Sequence, residues 1–269
     1  MIDALKLIEV GLLLAFGALL LAGRWLMRTR RMPRTGAAIE LAAGFALQGL
    51  TTALAIDFST GSKNWPALVG VQTVLLVGLA YLLNNRLVLA HACATAFVWF
   101  GGETGYESGW GMYWLGMTYP VRFLAAGIII LGVAWLHAER IPRYQAFSRV
   151  YGHAGALDLH LALWFLSVFG MYNGADSFRW DNDGERLLFT MVWAAVAGGF
   201  IFAGARLAIG LLRSYGLVFL IINIYTFYFQ FVVVHSAEAW WLHLLLAGGS
   251  LVAVGFWLEK QLRHSASIS

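Results

Sequence analysis

The sequence predicts an all-α fold, a polytopic transmembrane bundle of about nine helices. Three features lead there: long apolar runs recur along the chain, charges are scarce, and most arginines fall between alternate runs. Of its 269 residues, 60% are hydrophobic and 12% charged, against ~25% charged in a soluble globule. Crossing ~30 Å of hydrocarbon takes ~20 mostly apolar residues. Runs of that order lie near 5–27, 37–56, 67–83, 87–103, 121–138, 155–172, 187–207, 214–234 and 240–258. Lipid offers the backbone no hydrogen-bond partner, and these runs lack the alternation of barrel strands, so each is expected as an α-helix of one transmembrane domain, 1–269.

In chain order, the first run lacks a basic leader and a small-residue cleavage site, which makes it a retained span and not a signal peptide. Only Asn84, Asn85 and Arg86 separate the third and fourth runs, and Arg206 and Arg213 bracket the break between the seventh and eighth. Merging either pair would reverse every later loop. Small residues at Ala195, Gly199 and Ala203, and at Gly249 and Ala253, predict faces for close helix contact.

Charge orients the bundle. Arg24, Arg28, Arg30, Arg31, Arg34, Arg86, Arg140, Arg143, Arg149, Arg206, Arg213, Lys260 and Arg263 fall on one side, leaving Lys6, Lys63, Arg122, Arg179 and Arg186 on the other. The richer side is expected to be cytoplasmic, with the N-terminus outside and the C-terminus inside. Trp65, Trp110, Trp114, Trp180, Trp240 and Trp241 would mark the outer interface, and Trp25, Trp135, Tyr144, Tyr151, Tyr215 and Trp257 the inner one. This placement accounts for the net charge of +4 without a nucleic-acid partner. A single cysteine, Cys93, excludes an intrachain disulfide and a cysteine metal cage.

Residues 101–122, GGETGYESGWGMYWLGMTYPVR, form the most distinctive outer stretch. Its glycines predict tight turns, and Tyr106, Trp110 and neighbouring aromatics suit the headgroup region. Glu103 and Glu107 lie one helical turn apart, with Arg122 placed for a local ion pair. These five residues are the candidates for binding a ligand or a periplasmic or membrane partner. An ordinary acidic outer surface, shared with residues 172–186, is the plainer alternative. Neither stretch has calcium-loop spacing, and no metal site is expected.

Ionisable residues at membrane depth cost ~2.5–3.5 kcal/mol on insertion scales, so each raises a functional question. Glu40, His91, Asp158 and His160 each fall about one turn from the inner end of a predicted span. They suit either a proton or cation relay or packing pairs with Arg24, Arg86 or Arg206. In the eighth run Asn223, Thr226 and Gln230 share a helix face, flanked by Tyr225 and Tyr228 with His243 within reach. Interhelical hydrogen bonding or a ligand path would both explain that stripe. Gln48, Thr51 and Thr52 form a second, weaker patch.

The run LVFLIINIYTFYFQF, 217–231, resembles the late-helix motif of an uncharacterised family of bacterial integral membrane proteins. In that family an arginine follows Tyr-Thr and an acid comes three positions later. Phe227 and Gln230 stand there instead. The resemblance implies a multi-pass protein of the bacterial inner membrane.

No P-loop, zinc-protease motif or nucleophile elbow is present. No cofactor is expected either, since haem would need two histidines at one depth and only His91 and His160 share one. The leading expectation is therefore a non-enzymatic transport, channel-like or assembly subunit, alone or as a homo-oligomer. The alternative is a membrane-embedded enzyme or redox subunit using Glu40, His91, Asp158 and His160.

Overall fold

The computed structural model describes residues 4–58, 64–107, 115–171 and 183–233, with 241, 243–246, 248–250, 252, 255 and 256. Its elements are α1 Ala4–Thr29, α2 Pro33–Asp57, α3 Trp65–Leu83, α4 Arg86–Glu107, α5 Tyr119–Glu139, a 3-10 turn Pro142–Tyr144, α6 Phe147–Phe169, α7 Asp183–Arg206, α8 Gly210–Phe227 and a π-helical turn Tyr228–Val233. Among the described residues no strand forms.

Local chemistry sets the helix ends. Prolines open α2, α3 and α5, where a missing N–H costs nothing. The two breaks on which the topology turned are both present. Asn84 takes the left-handed conformation (φ 52°) and stops α3. The Asn85 side-chain oxygen then accepts from Leu87 N at 2.8 Å and Val88 N at 3.4 Å, capping α4. Ala208 (φ 55°) ends the turn after α7, and Ile209 N donates back to Gly204 O at 2.9 Å.

Seven described helices are long and apolar enough to cross a membrane: α1, α2, α3, α5, α6, α7, and α8 extended to Phe231. The predicted nine included α4, which is not among them. It runs past the expected end at 103 to Glu107, and its final turns, GGETGYE, are too polar. The run at 240–258 lies largely outside the described residues.

The chain divides into two compact units, Met1–Ala162 with Met171–Asp181, and Leu163–Gly170 with Asn182–Ser269. In the first, α1 pairs with α2 and α3 with α4. Leu79, Ala80, Val88, Leu89 and Phe147 form a buried core against which Tyr81, Cys93, Tyr144 and Tyr151 pack. Backbones of α5 and α6 meet at Gly127 and Gly155, where a Cβ on Gly127 would fall 2.8 Å from Leu159 N. In the second unit α7 packs on α8, and a Cβ on Gly216 would lie 2.5 Å from Ala197 O.

Two glycine expectations change. Ala195 and Gly199 face outward, and nothing lies within 4 Å of a Cβ placed on Gly199. The α7 contact uses Ala197 instead, about 200° around the helix from Ala195. In the outer stretch Gly101 and Gly102 are helical, and their missing side chains admit aromatic groups. A Cβ on Gly102 would stand 2.4 Å from the Trp65 ring, and one on Gly101 2.9 Å from the Tyr119 hydroxyl. Gly116 (φ 75°) does supply the expected turn, while Gly109 and Gly111 lie outside the described residues.

Gly127→Ala should destabilise the protein by roughly 1–3 kcal/mol through overpacking against the α6 backbone. Gly132→Ala, on the same helix with open space around it, should stay within about 0.5 kcal/mol. Denaturation midpoints in detergent test the pair, and equal effects would contradict the α5–α6 contact.

Candidate functional site

The polar side chains inside the first unit fall into separate groups. At the end where α1 meets α2, Glu40 is 1% exposed and its Oε1 lies 3.0 Å from Arg24 Nε. Asn85 Nδ2 donates to Glu40 Oε2 at 2.8 Å and to Ala37 O at 3.0 Å. One carboxylate thus joins α1, α2 and the α3–α4 turn. Arg24 is one of the arginines expected as a packing partner, and the geometry is that of a clamp.

Further along α2, Gln48 Oε1 is 2.8 Å from His91 Nε2 and Gln48 Nε2 donates to Thr95 Oγ1 at 3.3 Å. Gln72 Nε2 donates to Thr51 and Thr52 hydroxyls, each at 3.0 Å, so three helices share one seam. An amide oxygen can only accept, so His91 carries its proton on Nε2. Its Nδ1 is left as an acceptor, buried and without a hydrogen-bond partner.

A third group went unnoticed as a set in the sequence. His137 Nδ1 lies 2.8 Å from Val133 O, a carbonyl that can only accept, which puts the imidazole proton on Nδ1. In the neutral ring Nε2 then accepts from the Tyr81 hydroxyl at 2.7 Å, and Tyr81 Oη accepts from Tyr151 at 3.0 Å. Tyr144 and Phe147 close over Tyr81 with edge-on ring contacts, centroids 4.8 and 5.0 Å away. Tyr151 and Tyr144 were singled out only as interface anchors. No local spacing signals that residues 81, 137 and 151 will meet.

Asp158 is different. The predicted span began near 155, placing it one turn from the interface. The observed α6 starts at Phe147, so Asp158 is twelfth of 23 residues, ~16 Å along the helix. At that position a short carboxyl cannot snorkel out. It is 8% exposed, Oδ2 has no hydrogen-bond partner, and among the described residues no arginine pairs with it, contrary to the packing expectation. His160, fully enclosed, lies about 200° around the helix. No described hydrogen bond or ion pair joins any two of Glu40, His91, Asp158 and His160.

At the opposite end of this unit Arg122 is fully buried. In place of a Glu103 pair, its Nη1 donates to Thr104 O at 2.9 Å and its Nε to Met117 O at 3.2 Å, with the guanidinium 5.1 Å over the Tyr119 ring. Glu103 Oε2 is buried with no hydrogen-bond partner. Trp110 lies outside the described residues, as do the side chains of Tyr106 and Glu107.

In the second unit the expected stripe divides. Asn223 Nδ2 donates to Thr190 O on α7 at 3.0 Å, whereas the Thr226 hydroxyl accepts from Trp164 on α6 at 3.2 Å. Gln230 falls in the π-helical turn, which shifts it from α-helical register, and its amide atoms have no hydrogen-bond partner. His243 bonds to Tyr228. No group of three His, Cys, Asp or Glu residues suited to a metal ion comes together among the described residues.

Seven helices long and apolar enough to cross a membrane define an all-α, membrane-embedded protein. The chain matches no protein-family model, no curated protein and no solved structure.

Tyr81→Phe should cost roughly 1–2 kcal/mol, because it strands both the His137 acceptor and the Tyr151 donor. Tyr151→Phe, at the head of the chain, should cost less than ~1 kcal/mol. Unfolding midpoints of both variants check this order, and a reversed order would refute the assigned direction of the bonds.

Proposed function

We propose that the protein is a non-enzymatic transport or channel-like subunit of the bacterial inner membrane, and that Asp158 is the group its cargo meets. The observation that carries this reading is a carboxyl enclosed at mid-helix without a hydrogen-bond partner at Oδ2. A lone ion at membrane depth is costly, so it favours a proton or a small cation as the missing partner. The His91 Nδ1 acceptor adds a second open valence in the same unit. Among the described residues neither group has a nucleophile or acid–base partner placed for covalent chemistry.

Asp158→Asn keeps the shape and removes the charge. In vesicles containing the purified protein, it should abolish proton or cation flux under an imposed gradient while leaving the unfolding midpoint unchanged or raised. Flux that survives the substitution would remove Asp158 from the path. Lost flux with a large fall in stability would make the carboxyl a packing group. A wild-type chain that conducts neither ion would point to an accessory subunit.

The topology belongs to the same proposal: nine crossings, N-terminus outside, C-terminus in the cytoplasm. Its support is the arginine asymmetry and the pairing of α4 back along α3. The resemblance of residues 217–231 supports a bacterial inner membrane. Tags at the two termini should react from opposite compartments. Labelling of both from one side would overturn the crossing count.

A further inference from the structure

We propose that the arginine-bearing end of the first unit is a binding surface for the phosphate groups of anionic phospholipids. Arg28, Arg30, Arg31, Arg34, Arg86, Arg140, Arg143 and Arg149 are all exposed. They come from the α1–α2 turn, the α3–α4 turn and the α5–α6 connection. Side-chain bonds bring those segments to one end of the unit: Arg24 and Asn85 to Glu40, and Tyr81 to His137 and Tyr151. Among the described residues none of the eight forms an ion pair, and the buried carboxylate of Glu40 is already occupied by Arg24. Among the described residues of this unit, Glu139 is the one exposed acid in those segments. This end of the first unit therefore presents a concentrated positive charge with no counter-ion among its own described residues.

Three observations place those counter-ions in the leaflet. Exposed Trp25 and Trp135 flank the arginines, as aromatic residues at headgroup depth do. Arg30 lies 5.2 Å over the Trp25 ring and Arg143 5.2 Å over the Tyr144 ring, so both guanidinium groups sit beside aromatic rings of the kind found at headgroup depth. Arg31 occupies a left-handed position (φ 54°) closing α1, with Met32 N donating to Leu26 O at 3.1 Å, where glycine would be unstrained. An arginine held there points to a use for its charge. Planar guanidinium groups at this depth match phosphodiester oxygens, and clustered arginines beside membrane helices attract anionic leaflets.

The experiment is a thermal-unfolding titration of the full chain in neutral detergent with phosphatidylglycerol, phosphatidylcholine or inorganic phosphate. Phosphatidylglycerol should raise the midpoint more than phosphatidylcholine, and inorganic phosphate at matched concentration should not reproduce the shift. Combined Arg→Gln substitution at 28, 30, 34, 140, 143 and 149 should weaken the apparent affinity for phosphatidylglycerol by roughly tenfold or more. Because such a variant can fold poorly, Arg31→Gly supplies an independent arm. It should keep or raise the midpoint in detergent alone, by relieving the backbone, and should lose part of the phosphatidylglycerol shift. Equal shifts with both lipids, selectivity retained in both variants, or full reproduction by free phosphate would each overturn the proposal. So would a soluble polyanion that competes away the lipid effect at equal charge, since that would assign the surface to an acidic partner.

Discussion

Lipid gives a buried polar group nothing to bond to, and the contacts of Glu40 follow from that constraint. Its carboxylate is enclosed, so it persists only because Arg24 and Asn85 reach it from two other segments. Asn85 in turn uses its remaining oxygen to start α4. A single charge therefore sets the depth of α1 against α2 and fixes where the α3–α4 hairpin turns. At the other end of the same pair Lys6 binds Asp57 and Glu9. Lys6 and Arg24 are eighteen residues apart, ~27 Å of helix, close to the ~30 Å of a hydrocarbon core.

The other polar groups obey the same constraint by different means. Between α2, α3 and α4 the seam is built from amides, hydroxyls and the His91 ring, whose donors and acceptors match except at His91 Nδ1. The Tyr151–Tyr81–His137 chain has one direction because it ends on the Val133 carbonyl, which cannot accept a proton and pass it on. That termination suits a tie between α3, α5 and α6 better than a conduit. Arg122 shows the cationic case, and its described contacts include the main-chain oxygens of Thr104 and Met117. Against this background Asp158 Oδ2 and His91 Nδ1 stand out, as do Glu103 Oε2 and the Gln230 amide. Groups that break a rule their surroundings obey are where function is sought.

Much of the candidate site could be named but not assembled from the sequence. Asp158 was visible as an acid in an apolar run, yet its place along the helix differs from the expected one because RVYGHAGA, preceding it, looks too polar to belong to a span. Packing on neighbouring helices carries α6 back to Phe147. His91 and Gln48 were picked out separately, and their bond depends on the rotation of α4 against α2. Tyr81 and His137 carried no signal at all, since 56 residues separate them and each sits in an unremarkable apolar context. The glycines of 101–122 misled for a related reason: a glycine that frees the backbone and one that makes room for a tryptophan ring look the same in sequence.

By itself the sequence determined the all-helical class of protein, the approximate extent of most described helices, and the breaks at Asn84 and before Ile209. Those properties arise within a few residues of one another, from apolar run length, capping side chains and left-handed turn positions. Only the tertiary structure decided which polar groups meet, which face of α7 packs, and which carboxyl oxygens are left without a hydrogen-bond partner. Each of these depends on the rotation and depth of one helix relative to another. A rotation of 100° or a shift of a few ångströms exchanges every partner while leaving the local pattern untouched.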